Sequence, residues 1–210
     1  MHNASGPFFL AMNLQNEFGN IDIYVFDQLL RGRIVPGMRV FDAGCGGGRN
    51  LVHLLRQGYD VCGNDADANA LGQVRSMAAS LAPDRRFDFR TEPIEQTSFP
   101  DAHADVVIAS AVLHFARDTG HFEAMLRQMW RVLKPGGVFF ARLASTIGSE
   151  AGITPLGNGR YRLADGSDRF LVDAPTIESW TTTLGGTLLD PIKTTVVHHQ
   201  RSMTTWVAKK

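Results

Sequence analysis

Val40-Phe41-Asp42-Ala43-Gly44-Cys45-Gly46-Gly47-Gly48-Arg49 ends an apolar run in an acid and then places four glycines in five positions. A loop of that composition lets a ligand lie against backbone amides where a Cβ would collide. The periodic run that follows, Arg49-Asn50-Leu51-Val52-His53-Leu54-Leu55, reads as a helix. Glycines between a strand and a helix make a cofactor loop, with a ligand-free turn as the plainer alternative. A dinucleotide site wants Gly-x-Gly-x-x-Gly, its last glycine closing the helix onto the strand beside a pyrophosphate. Gly44 and Gly46 fit the first two places, but Arg49 stands at the third. Asp42, two residues ahead of the first glycine, suits a cation better than a diphosphate. About twenty residues further on, Gly58-Tyr59-Asp60-Val61-Cys62-Gly63-Asn64-Asp65 reads as a second strand ending in an acid. That is the distance at which a βαβ unit returns a carboxylate to ribose hydroxyls. Asp65 is the ribose candidate. It could instead cap the next helix, a role for which Asp67 is better placed.

Asp-x-Gly-x-Gly-x-Gly at the end of a first strand resembles the class I S-adenosylmethionine-dependent methyltransferases, whose cofactor carries a sulfonium and an α-amino group. Arg131-Val132-Leu133-Lys134-Pro135-Gly136-Gly137 is a second mark of that family, preceding its fifth strand. The segment Gly44–Asn50 with Gly58–Val61 is also similar to tellurite-resistance-type and thiopurine-type methyltransferases, which act on small soft nucleophiles or metalloid oxyanions. The resemblance implies S-adenosylmethionine as cofactor and S-adenosylhomocysteine as product. It implies a site built from Asp42, Gly44, Cys45, Gly46, Arg49 and Asn50, with Asp65 and Ala66 at the ribose and Ser110 and Ala111 at the end of the fourth strand. One departure stands out. Family members commonly place an acid after the third strand to hold the adenine amino group, and here Pro93 takes that place, offering neither charge nor N–H. The contact then falls to Glu92 or Glu95, with the Ile94 amide as a ring-nitrogen donor.

Methyl transfer from a sulfonium is an in-line displacement on an already activated carbon, so positioning and exclusion of water supply much of the acceleration. A catalytic base is optional. His114, four residues beyond Ser110 and at the carboxyl edge of the fourth strand, is the base candidate; the alternative is a histidine that only shapes the pocket. Phe115 stands next to it. Arg142, ending the fifth strand, could hold an anionic substrate or an internal salt bridge. Phe8, Phe9, Phe18 and Tyr24 could form an aromatic lid over the sulfonium, or pack in the core. His198-His199 fall in a late turn, and no ligand set has metal spacing; no metal is expected.

These residues need a parallel sheet to bring them together. Strands are predicted near 39–43, 59–64, 86–90, 104–110 and 137–143, with helices near 48–57, 68–81 and 119–133. A helix near Asp22–Arg31, capped by Asp22 or Asn20, precedes them after an opening coil. Alternating strands and helices predict an α/β, doubly wound, Rossmann-like sheet covered on both faces. Beyond 143, Arg160–Leu163 and Asp168–Val172 read as a hairpin around an Asp-Gly turn, inserted where binding loops sit. A helix near Pro175–Thr183, a broken strand over 186–190 and 194–197, and a last strand over Met203–Ala208 complete the chain. By the resemblance, the sheet is seven-stranded and mostly parallel, with an antiparallel last strand. The expected organisation is one domain: a cap over 1–37, a cofactor core over 38–143, an insertion or lid over 144–172, and a helix with a strand pair over 173–210.

At 210 residues and 44% hydrophobic content, one substantial core can form. Lysine and arginine, 21 together, balance 21 aspartates and glutamates, so no global field recruits nucleic acid or an anionic membrane. Two cysteines, Cys45 and Cys62, and no signal or membrane-spanning stretch point to a cytoplasmic protein with buried thiols. The expected partner is a small-molecule acceptor, with the chain monomeric or a homodimer. Two other function classes fit less well: a nicotinamide-dependent oxidoreductase and a non-catalytic S-adenosylmethionine-binding protein.

Overall fold

The computed structural model describes residues 13–198 and 200–210, so Phe8 and Phe9 lie outside the described residues. The chain opens with α1 (Leu14–Phe18) and α2 (Ile23–Leu30). Then follow β1 (Arg39–Ala43), α3 (Val52–Arg56), β2 (Asp60–Asp65), α4 (Ala68–Leu81), β3 (Asp88–Thr91), β4 (Ala104–Ser110), α5 (Thr119–Val132) and β5 (Leu133–Ala144). A small sheet of β6 (Thr154–Gly157), β7 (Arg160–Arg162) and β8 (Asp168–Phe170) precedes α6 (Ala174–Thr183). The last strands are β9 (Thr187–Leu188), β10 (Lys193–Val197) and β11 (Arg201–Lys209).

The main sheet runs β10-β11-β5-β4-β1-β2-β3, with β9 continuing the β10 edge along β11. Strands β1 to β5 are parallel, and β11 lies antiparallel to β5. Alternation along each strand divides the core into two layers. Phe41, Ala43, Val107 and Ala109 face α5 and α6, while Val40, Val106 and Ile108 face the opposite layer. The chain reverses direction of growth between β1 and β4, the switch point where a crevice opens outside the carboxyl ends of the strands. Register brings Ser110 level with Arg142 at that edge.

Three expectations change. The opening segment is not all coil: Asn13 accepts the Asn16 amide and starts α1. Helix α3 begins at Val52 rather than 48, because left-handed backbone at Gly46 and Gly48 delays it and the Asn50 side chain binds the Asp22 amide instead of capping. The 160–172 hairpin gains a third strand, β6, whose exposed Thr-Pro-Leu-Gly carries no apolar alternation to announce it. Phe170 anchors this sheet by stacking on Phe122, centroids 4.6 Å apart.

Candidate active site

The glycine loop leaves β1 and is pinned across β2 by the Cys45 amide on the Asn64 carbonyl. Gly44, at φ +68°, lies so close to Val112 that a Cβ would meet its Cγ2 at 2.8 Å. Gly46, at φ +51°, would project a Cβ into open space, so its backbone fronts a cleft. Asp65 fastens the loop by accepting the Gly46 N–H at 2.9 Å and also takes the Asp67 N–H. Two backbone donors leave a carboxylate with accepting capacity to spare for hydroxyls. Asp67 caps α4 through the Asn69 amide.

Beneath the loop, Asp42 is fully buried and its Oδ2 has no partner among the described residues. Burial pushes its carboxyl up to about 7, against the pull of Arg49 and with a further push from Asp65. Asp22 is a second buried acid, and it ties α2 to the sheet edge. It caps the Tyr24 amide and accepts from Ser110 Oγ at 3.1 Å, Arg142 at 3.0 Å and Arg49 at 3.4 Å. Arg49 also donates to Ser110 Oγ at 2.7 Å. The sequence offered Asp22 only as a helix cap; its three partners lie 27 or more positions away.

Three cavities meet along this edge. One of about 400 Å³ runs past Gly44, Asp65, Ala66, Ile94, Glu95 and Phe115. A second, of about 490 Å³, is walled by Gly44–Gly47, Arg49, Asn50, Ser110 and the Gly19-Asn20 turn. A third, of about 390 Å³, lies among Arg49, His114, Arg142, Arg169 and Arg201. Ala111 lines all three, and it holds φ +63° with its amide on the Arg142 carbonyl.

Several expected residues stand elsewhere. Glu92 does not line these cavities: it accepts from Thr97 Oγ1 and from the amide and hydroxyl of Ser98. Burial opposes its ionisation, but those hydrogen bonds outweigh it and hold Glu92 below the usual carboxylate range. Glu95 lines the first cavity instead, with His121 Nε2 at 3.0 Å and Arg117 at 3.7 Å. Phe18 stacks on His53 and meets Phe26 edge-on, so the neighbouring Gly19 and Asn20, not its ring, reach the cleft. Tyr24 binds Thr195 through its hydroxyl and lies under the Arg142 guanidinium, behind the cavity wall. His114 lines the third cavity, but its Nδ1 accepts the Ala144 amide, leaving the ring proton on Nε2. Burial, with Arg169 nearby, lowers its pKa to about 4. As placed, the ring is a neutral donor at the cavity, and the nitrogen that could accept a proton is engaged by the Ala144 amide. Cys45 and Cys62 are free and buried, and burial pushes the Cys62 thiol up to about 12. Arg169 and Arg201, unremarked in the sequence, reach the third cavity from β8 and β11.

Among the described residues no cluster of ligands could hold a metal ion, and no helix is long and apolar enough to cross a membrane. A glycine loop at the switch point of a 3-2-1-4-5 parallel sheet, with an antiparallel strand slotted beside β5, defines the class I methyltransferase architecture. Comparison with known proteins agrees. Residues 41–141 match the family described as "Methyltransferase domain". An uncharacterized methyltransferase of Synechocystis sp. is 32% identical over 106 residues, 50% of this chain and 47% of that protein. The ubiquinone biosynthesis O-methyltransferase of Sinorhizobium medicae is 33% identical over 50% of this chain and 41% of its own. The chain thus spans about half the length of these curated relatives, or less. In structure, the 1,6-didemethyltoxoflavin-N1-methyltransferase of Burkholderia thailandensis, solved with bound 1,6-didemethyltoxoflavin and S-adenosylhomocysteine, superposes with a TM-score of 0.70. That match covers 94% of this chain and 81% of the other at 18% identity. Residues 41–141 thus form a methyltransferase-family domain on the class I fold.

Proposed function

We propose that the protein transfers a methyl group from S-adenosylmethionine to a small-molecule acceptor. The observation that carries this reading is the meeting of three cavities at Ala111; the reading assigns the first to adenosine, the second to the amino-acid arm and the third to the acceptor. The residues suit a cationic cofactor: an orphaned buried carboxylate oxygen on Asp42 beneath the loop, and open space against the Gly46 backbone. In this reading Asp65 and Ala66 hold the ribose, Glu95 and the Ile94 amide take the adenine edge in place of Pro93, and Asn50 and Ser110 border the amino-acid arm. The Gly19-Asn20 turn borders the second cavity, and the β7–β8 connection with Arg169 borders the third.

The cofactor supplies a methyl carbon activated by its sulfonium. The acceptor's lone pair forms the new bond as the carbon–sulfur bond breaks and its electron pair stays on sulfur; an acceptor proton, where there is one, leaves to water. The chain's residues position and desolvate. Ala111 fixes the junction, Ser110 and Arg49 brace its wall through Asp22, and His114 presents an N–H to the acceptor. Burial of two unpaired thiols suits a reducing, cytoplasmic setting.

Titration calorimetry with S-adenosylhomocysteine and NADH tests the cofactor assignment, and S-adenosylhomocysteine release across an acceptor panel tests turnover. Binding of NADH alone would return the oxidoreductase reading; cofactor binding with no turnover on any acceptor would make the domain a binding module.

A further inference from the structure

The third cavity is strongly cationic. Four guanidiniums, Arg49, Arg142, Arg169 and Arg201, stand on its wall, against one carboxylate, Asp165. Asp22 offsets part of this from behind by pairing with Arg49 and Arg142. Asp165 accepts from both the amide and hydroxyl of Ser167 and forms no ion pair among the described residues. Arg169 donates to the Asp168 carbonyl and lies over the Phe115 ring; neither it nor Arg201 has a carboxylate within 4.0 Å among the described residues. The undescribed positions, 1–12 and 199, contain no aspartate or glutamate that could balance them. Four cations against two acids leave an excess of positive charge around a concave space of ligand size. Arg142 adds a buried Nε with no acceptor among the described residues. A buried donor left unmade is costly, so its partner should come with the ligand. His114, held as a neutral Nε2–H donor, adds a further donor and no competing base.

We propose that the acceptor is a small organic anion, its carboxylate held in this cavity by Arg142, Arg169 and Arg201. The inference rests on the methyltransferase reading, which places the acceptor beyond Ala111. Guanidiniums match a carboxylate with paired N–H donors, and charge-assisted bonds of this kind are the strong ones. The three arginines come from β5, the insertion sheet and the last strand, so only the assembled tertiary structure makes the site.

The test is calorimetric binding of benzoate and malonate to the protein saturated with S-adenosylhomocysteine, with benzamide and malonamide as neutral controls. The acids should bind at least about tenfold more tightly than their amides, the scale of one lost charge-assisted hydrogen bond. Arg169→Gln and Arg201→Gln should each weaken the acids by about tenfold while leaving S-adenosylhomocysteine affinity unchanged, which also shows that the variants fold. Equal binding of acid and amide, binding of neither acid, or acid affinity retained in both variants overturns the proposal. Loss of the cofactor reading is seen separately, as failure of S-adenosylhomocysteine to bind the unaltered protein.

Discussion

Asp42→Asn should change the pH dependence of stability in a direction set by burial. In the folded chain the Asp42 carboxyl titrates near 7, while an unfolded aspartate titrates near 3.8. Between those values the folded state holds a proton that the unfolded state has lost. The group's contribution is therefore kept at low pH and lost as pH rises from about 4 through 7. Over pH 5 to 8.5 the linkage integral amounts to about 2.7 kcal/mol of lost stability, at 1.36 kcal/mol per unit. Asparagine cannot ionise, so the variant should lack that loss, whatever fixed cost its own unmet amide adds. Urea denaturation of cofactor-free protein at several pH values measures this as the difference between two curves, in which the other titrating groups cancel. The curve for the native chain should fall relative to the variant's by about 2–3 kcal/mol over that range. Curves that run parallel would refute a buried, unpaired Asp42. The same variant should bind S-adenosylmethionine more weakly, since a cationic ligand is what favours the ionised form at neutral pH.

Other substitutions probe the remaining joints of the site. Asp65→Ala should weaken S-adenosylhomocysteine by about 1.5–3 kcal/mol with the fold retained, and unchanged calorimetric affinity would leave Asp65 a loop fastener alone. Asp22→Asn keeps a cap for the Tyr24 amide but removes the charge facing Arg142 and Arg49. It should cost about 2–3 kcal/mol in denaturation, less than a fully buried pair because Arg49 is half exposed. His114 is held near 4 against 6.5 when unfolded, so stability should decline as pH falls from about 6.5 towards 4, and His114→Gln should flatten that decline. The same variant should leave the pH–rate profile above 5 without a lost ionisation limb; a lost limb near neutrality would restore His114 as a base.

Much of the fold was legible because its signals are local. The buried run of β4 was read to its ends, Ala104 and Ser110, and α4 runs from Ala68 to Leu81 as its period and Asp67 cap predicted. The glycine loop announced itself for the same reason, since close approach of backbone to ligand restricts residue type at consecutive positions. Strand β6 stayed hidden because an exposed edge strand has no apolar face to alternate. The site is a different case. Glu92 and Glu95 are three residues apart and chemically alike, and only the Ser98 hydrogen bonds and the wall position of Glu95 separate them. Phe18, Tyr24 and His114 are residue types suited to the chemistry, but what each touches is set by its orientation in the fold. By itself, the sequence determined the parallel sheet, its switch-point glycine loop and the acid, Asp42, that precedes the loop, because each is written in neighbouring residues. Only the tertiary structure decided that Asp22, Arg49, Ser110 and Arg142 share one edge, and that Arg169 and Arg201 face the same cavity. Those contacts span up to 120 positions, and long-range proximity is set by strand order and register, which no local pattern encodes.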